Sequence, residues 1–428
     1  MSGPRCIPPA QPHPYQAARL ISNTMANSTL DTKDLEHVIA SLQHIIKHED
    51  TRTEIAADPE LRNRLAEACR HTLLRLERPW DSIRRYNYAV HDVAIAKTGH
   101  SMGLWAALVA ESPNSVHGSQ LAEKTGVELG LLMRLLRYAT AQSMVEQTDV
   151  QSFRAIEATR TLSMPMMNSA FTVATEILIP SALSMDAYFK STHFKEPADR
   201  GHTLFNQAFN TDQHCFEWLS AKPGLGQDFF NLMKVRRQGL KDWLDGFPVE
   251  KYLDVKDTTE RMQFVDVGGG NGQQALAVLK RHPEIAGKVV VQETPTLGAL
   301  EQLKSDPQGL IPMATDFFQP NPLKGAKAYY MRNIMHDWPD EECRVILGHL
   351  RDVLEHDSVI LVDDLVVDDM ETHWHPSATD MTMMTLLAAK ERSLTEWDAL
   401  IESARLERRE NVAYDAYGLN IQVLGRKA

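Results

Sequence analysis

The hydrophobic pattern changes grammar along the chain. From Thr32 apolar residues recur at helical spacing: "DLEHVIASLQHII" sets Leu35, Val38, Ile39, Leu42, Ile45 and Ile46 along one stripe, and a second helical run covers "ELRNRLAEACRHTLLRL". "SVHGSQLAEKTGVELGLLMRLLRYATAQSMVEQ" reads as two helices about a turn at Thr125-Gly126, with Leu132, Leu135, Leu136 and Ala139 spaced as a buried face. The pattern stays helical from 165 to 250. There "AFTVATEILIPSALSM" predicts a buried helix, and Phe171, Phe205, Phe209, Phe216 and Trp218 are candidates for a core or a pocket lining. After Arg261 short apolar runs ("MQFVDV", "KVVVQE", "IPMATDF", "AYYM", "SVILVDD") alternate with helical stretches such as "QQALAVLKR" and "LGALEQLK". This βαβ alternation predicts a mostly parallel sheet covered on both faces. "NVAYDAYG" and "LNIQVLGR" read as a closing antiparallel pair.

The expected fold class is therefore α/β, with a Rossmann-like doubly wound sheet over 256–428. Ahead of it come an all-helical, winged-helix-like domain over 31–165 and a helical connecting and pocket region over 166–255. Residues 1–30, rich in Pro, Ser and Asn, read as a loose tail.

Composition narrows the partners. A chain of 428 residues is too long for one core, and its net charge of -12 argues against nucleic acid or anionic lipid as partner. The helix–turn–helix segment agrees, because Lys124, Arg134 and Arg137 are set against Glu111, Glu123, Glu128, Glu146 and Asp149. Phosphate binding needs a basic face, so this segment reads as a winged-helix scaffold. Cys6, Cys69, Cys215 and Cys343 are far apart and form no CxxC pair, as expected of reduced thiols in a cytoplasmic protein without a zinc motif. The N-terminus lacks the apolar run of a secretory signal, and the apolar region from Ala170 is too short for a membrane span.

Candidate chemistry begins at "FVDVGGGNGQQ", where Gly268, Gly269, Gly270 and Gly272 follow a strand and precede a helix. Such glycines let the backbone approach a ligand closely. The dinucleotide fingerprint is not met, since the third glycine comes one residue early and Gln273 stands where Gly or Ala is wanted. Asp266, just before the glycines, suits a cationic amine, and Glu293, ending the next strand, suits both ribose hydroxyls. An amino-acid part, a ribose and no phosphate describe S-adenosylmethionine.

At this point the chain resembles the class I S-adenosylmethionine-dependent O-methyltransferases of the caffeate and hydroxyneurolignan type, in their fungal secondary-metabolism branch. The resemblance covers 32–428 and is carried, in order, by "VDVGGGNG", "VVVQETP", "ATDFFQP", "YYMRNIMHDWPDEEC", "ILVDDLVV" and "AAKERSLTEWDAL". It implies that Gly268 and Gly269 lie against the methionine part of the cofactor, with Gly270 in the same loop. It implies that Glu293, in place of the commoner Asp, holds the ribose. Asp316 would accept from the adenine amino group, with Phe317 packed on the ring. Arg332 would lie near the cofactor and Trp338 beside the adenine. By the same resemblance His336 is the general base, with Asp364 and Glu391 as its flanking acidic residues. Asp364 is preferred to Asp363 on alignment register. A homodimer with intertwined N-terminal helices is also implied.

"MRNIMHDWPDEEC" divides on inspection. Pro339 suits the first position of a helix, Asp340, Glu341 and Glu342 its first turn, and Cys343, Ile346, Leu347, Leu350 and Leu354 its buried face. A metal site thereby loses its ligands, and Arg332, His336 and Trp338 remain for chemistry. Ser393 and Glu396 form a capping box, ahead of a buried stripe at Trp397, Leu400, Ile401 and Ala404. The expected acceptor is a phenol or enol of a small aromatic or polyketide, in a pocket built from 165–220 and Asp380 to Met384. Two other functions compete: a dehydratase or pericyclase of the same fold, in which the cofactor is a bound cation, and a binding protein with a decayed site.

Overall fold

The computed structural model describes residues 31–235, 241–295, 299–305, 309–370, 373–415 and 417–427. The tail expected over 1–30 lies outside the described residues. Helix Thr32–Lys47 starts at a reciprocal cap: Asp31 accepts from the Lys33 and Asp34 N–H groups, and Asp34 accepts from Asp31. Helices Glu49–Ala56, Pro59–Leu76 and Pro79–Tyr88 follow, and like the first they bury no residue. The stripe at Leu35, Val38, Ile39 and Ile46 is thus exposed on the single chain.

The two helices form about the expected turn, although Leu135, read as part of the buried face, is only half-buried. Helix Gly118–Thr125 ends at Gly126 in the left-handed region, and helix Leu129–Ala141 follows. A small sheet of β1 (Val116–His117), β2 (Glu146–Asp149) and β3 (Ser152–Arg154), ordered β1-β3-β2, supplies the wing. Leu121, Leu132, Leu136 and Ala139 bury against Leu104, Trp105, Leu108 and Phe153. The helix expected from Ala170 forms, but it is widened: helix Pro165–Val173 passes without leaving helical backbone through a π-turn at Ala174–Leu178 into helix Ile179–Leu183. Pro180 has no N–H to donate to the preceding turn, which accounts for the widening ahead of it. Val173 and Ile177 are buried, whereas Leu183 is 80% exposed. Val173, Ile177, Phe205, Cys215 and Leu219 pack with Met383, Leu386 and Leu387 of helix Trp374–Leu387. This cluster fastens the helical region to the sheet.

The large sheet contains β4 (Phe264–Val267), β5 (Val289–Glu293), β6 (Ile311–Ala314), β7 (Ala328–Arg332), β8 (Val359–Val367), β9 (Arg392–Ser393), β10 (Leu406–Ala413) and β11 (Leu419–Arg426). Its order is β10-β11-β8-β7-β4-β5-β6, with β9 added to β8. Pairings among β4 to β8 are parallel, while β11 runs antiparallel to β8 and β10. Strand faces alternate, so Phe264, Val289 and Val291 enter one core layer and Val265, Val267 and Val290 the other. The chain winds from β4 to β6 in one direction and returns to β7 on the other side of β4. That reversal opens a crevice at the carboxyl ends of β4 and β7, where such sheets take ligands. β10 starts earlier than "NVAYDAYG" suggested, at Leu406, and the part after Ala413 is connection to β11. Helix Asp340–Val353 begins one residue later than expected, with Pro339 as its N-cap.

Candidate active site

Beyond β7 the backbone passes through Asn333 at φ 53 into a 3-10 turn, Met335–Asp337, that carries His336. His336 is 2% exposed. Its Nδ1 lies 2.7 Å from Glu391 Oε1, and its Nε2 lies 3.5 Å from Asp337 Oδ1. Glu391 immediately precedes β9, which runs parallel to β8 with Arg392 opposite Val366. β8 supplies the third carboxylate. Its consecutive residues face opposite ways, and Asp363 is engaged by Tyr330 Oη at 2.6 Å, Tyr414 Oη at 2.7 Å and Arg332 Nε at 3.4 Å. Asp364 is the one whose charge acts on His336.

Burial opposes charge on His336, but Glu391, Asp337 and Asp364 outweigh it and raise the imidazole to about 9. Burial likewise pushes Asp364 up to about 7, against the pull of His336. Both Asp364 oxygens and Glu391 Oε2 are buried without a hydrogen-bond partner among the described residues. The arrangement orients the ring through Nδ1 and sets it among carboxylates that favour its imidazolium form.

Arg392 was not singled out by sequence reasoning. Its side chain is fully buried, donating to the carbonyls of Met335 at 2.9 Å and Trp338 at 3.0 Å and to Asp340 at 2.8 Å. Those carbonyls bracket His336, so adjacent residues Glu391 and Arg392 grip the imidazole and its turn. The Cys343 thiol adds contacts to the same two carbonyls. The only sequence signal was a charged residue abutting Glu391.

The glycine loop needs its glycines for identifiable reasons. At Gly268, φ is +70, and a Cβ would stand 2.6 Å from Ile334 Cδ1; at Gly269 it would stand 2.6 Å from Asp266 Cγ. Gly270 N–H donates to Glu293 Oε2 at 2.9 Å, and Thr294 N–H to Glu293 Oε1 at 2.7 Å. The Thr294 hydroxyl also donates to Oε1, at 3.2 Å, so Oε2 is the oxygen that keeps a lone pair for a ribose hydroxyl. Asp266 is buried, accepts from Ala275 N–H at 3.2 Å, and is pushed up to about 7 by burial. An ammonium group beside it would restore its charge. The residues present therefore fit S-adenosylmethionine.

Asp316 is exposed just past β6 and accepts from Phe318 N–H at 2.9 Å. Phe317 and Trp338 come together, ring centroids 5.9 Å apart. Trp338 is only 8% exposed: His214 stacks on it at 5.2 Å, and the Arg200 guanidinium lies 5.3 Å from its ring centre. Most of its indole is committed to packing within the chain. Arg332, close to Asp266 and Asp363, lies at the mouth of β7. Among the described residues no group of three or more His, Cys, Asp or Glu is placed to hold a metal ion, and no helix is long and apolar enough to cross a membrane.

Comparison with known proteins identifies the family, the fold and the cofactor. The model of the O-methyltransferase domain family matches residues 194–406. The O-methyltransferase lepI of Aspergillus flavus is 32% identical over 348 residues, 81% of this chain and 89% of that protein. Demethylsterigmatocystin 6-O-methyltransferase of the same species is 29% identical over 90% of this chain and 96% of its own. Among solved structures, LepI in complex with S-adenosylmethionine superposes with a TM-score of 0.82 at 28% identity, covering 92% of this chain and all of that one. Another solved structure with that TM-score, also 28% identical, is of a pericyclic reaction enzyme. OxaC, at 20% identity and a TM-score of 0.74, shares the fold. The chain belongs to the class I S-adenosylmethionine-dependent O-methyltransferases, in the branch that serves fungal secondary metabolism.

Proposed function

We propose that this enzyme methylates a phenol or enol oxygen of a small aromatic or polyketide metabolite, with His336 as general base. The observation that carries this reading is the buried His336–Glu391 contact of 2.7 Å at the carboxyl end of β7. Bound S-adenosylmethionine supplies a methyl group already activated by its sulfonium. The chain has two tasks. It must hold donor and acceptor in line, which contributes up to ~7–11 kcal/mol in ideal cases. It must also remove the hydroxyl proton, for which a positioned base typically gives ~10²–10⁴-fold.

In this reading Asp266 takes the cofactor's amine and Glu293 its ribose hydroxyls. Gly268, Gly269 and Gly270 admit the methionine chain, and Asp316 and Phe317 meet the adenine, with Trp338 behind them and Arg332 alongside. His336 Nε2 accepts the acceptor's proton, Glu391 holds Nδ1, and Asp364 stabilises the resulting imidazolium. The exposed apolar stripe of helix Thr32–Lys47 supports a homodimer in which these helices cover a second copy. Free Cys69, Cys215 and Cys343 suit a reducing compartment such as the cytosol, and the acidic net charge suits a small-molecule enzyme.

The likeness to LepI keeps one second reading in play, a dehydration or pericyclic reaction in which the cofactor stays intact and His336 acts as acid or base. Incubation with S-adenosylmethionine carrying a deuterated methyl, across a panel of phenolic and enolic acceptors, separates the two. Methyl transfer gives labelled product and stoichiometric S-adenosylhomocysteine. Product at unchanged mass, or lighter by water, with no S-adenosylhomocysteine, selects the second.

A further inference from the structure

Gln292 and Asn321 face each other inside an apolar layer, 1% and 5% exposed. Gln292 Nε2 donates to Asn321 Oδ1 at 3.0 Å, and Asn321 Nδ2 donates back to Gln292 Oε1 at 2.8 Å. Val290, Met313, Phe317, Phe318 and Leu323 belong to the surrounding core layer. Two apolar residues of like volume would serve that layer at least as well, because a buried hydrogen-bonded pair contributes little net stability over an apolar pair. What a reciprocal amide pair adds is direction: it fixes the spacing and register of the segments it joins.

Those segments are the ones that face the cofactor. The Gln292 carbonyl accepts from Gly268 N–H at 2.8 Å and Gly269 N–H at 3.1 Å, and the next residue is Glu293. Asn321 closes the loop that leaves β6, whose Thr315 N–H donates to the Glu293 carbonyl at 3.0 Å and which carries Asp316 and Phe317. Asn321 Oδ1 also accepts from Leu323 N–H at 3.0 Å, fixing the orientation of its own amide. One side chain and one carbonyl of Gln292 thus tie together the glycine loop, the Glu293 carboxylate and the Asp316–Phe317 loop.

We infer that the Gln292–Asn321 amide pair is a positioning element for cofactor binding, setting the distance between the ribose carboxylate of Glu293 and the adenine-facing loop at Asp316 and Phe317. The inference rests on the cofactor placement proposed above. Neither residue touches the cofactor; both act through their neighbours.

The test uses the full-length protein and measures S-adenosylhomocysteine and adenosine affinity by calorimetry, together with the thermal midpoint. Asn321→Leu strands the Gln292 amide and lowers both affinity and midpoint. In the double variant Gln292→Leu with Asn321→Leu, no side-chain amide is stranded, and the part-buried Leu323 N–H alone loses its acceptor. Its midpoint stays near that of the parent, while affinity for both ligands falls about tenfold, the equivalent of one or two lost hydrogen bonds. The exchange Gln292→Asn with Asn321→Gln keeps the combined side-chain length and restores most of the affinity. Parental affinity in the double-leucine variant overturns the inference, as does a fall in midpoint with affinity intact. Glu293→Ala and Asp316→Ala run alongside. If they weaken S-adenosylhomocysteine binding while the double-leucine variant does not, only the amide-pair inference fails. If they leave binding unchanged, the cofactor placement fails and takes the inference with it.

Discussion

His336 holds a proton at neutral pH in the uncomplexed chain, because Glu391, Asp337 and Asp364 outweigh its burial and raise it to about 9. The neutral ring needed to accept a substrate proton therefore becomes more abundant as pH rises. The sulfonium charge of bound cofactor opposes imidazolium and moves that transition downward. We expect kcat/KM for the acceptor to climb with pH on a limb with its midpoint below 9. Glu391→Gln should move that limb to lower pH, since it removes a charge that favours imidazolium, and should lower the plateau by loosening the ring. An unmoved limb would mean that His336 is not the group titrating. Stability follows the opposite sign. A histidine whose folded pKa exceeds its unfolded value stabilises fully below about 6.5 and loses that contribution as pH rises through the folded value. The unfolding midpoint should fall across that window, and the fall should shrink in His336→Gln. At this scale the sequence was informative where a motif fixed the residue, as for His336 and Glu391. It left Asp363 and Asp364 open, because two adjacent acidic residues on a strand differ only in the face each presents. Tyr330 and Tyr414, which engage Asp363, come from elsewhere in the chain.

At the scale of elements, β9 does more for the site than its length suggests. It is a two-residue strand, too short for any periodicity, yet it delivers Glu391 and Arg392 together to the turn that carries His336. Arg392→Lys keeps the charge but cannot span the Met335 and Trp338 carbonyls and Asp340 at once. Losing one charged hydrogen bond should cost about 2 kcal/mol of stability. Turnover should fall with it, while affinity for S-adenosylhomocysteine stays at the parental value, as denaturant titration and calorimetry would record. Equal losses in turnover and cofactor affinity would place Arg392 in the cofactor site instead. The glycine loop was legible because its backbone demands leave a mark in residue type. The widening at Ala174–Leu178 was less so, since an apolar run reads the same whether the helix through it is regular or widened.

At the scale of the whole molecule, two contacts among the described residues join the N-terminal helices to the catalytic region. Glu67 Oε1 lies 3.0 Å from His373 Nε2 at the start of helix Trp374–Leu387, and Tyr417 Oη lies 3.2 Å from Asn63 Oδ1. Leu35, Val38, Ile39 and Ile46 are exposed on the single chain, and the proposed dimer would cover them. Light scattering should give twice the chain mass, and Leu35→Glu with Ile39→Glu should shift the protein toward a single chain and lower its thermal midpoint. A monomeric parent would remove the dimer from the account. The alternation of strands and helices disclosed the sheet because each face must be buried within the chain. A stripe left exposed on the single chain has no such signature, which is why Leu35 to Ile46 was readable as a helix while its covering partner stays a proposal.

The central claim is that His336 removes the acceptor's proton in a methyl transfer. The most direct measurement is single-turnover formation of S-adenosylhomocysteine by the parent and His336→Ala, with an acceptor the parent methylates. Cofactor affinity is determined on the same samples. The account expects parental affinity in the variant and a rate lower by about 10²–10⁴-fold. A variant that methylates at the parental rate would contradict it.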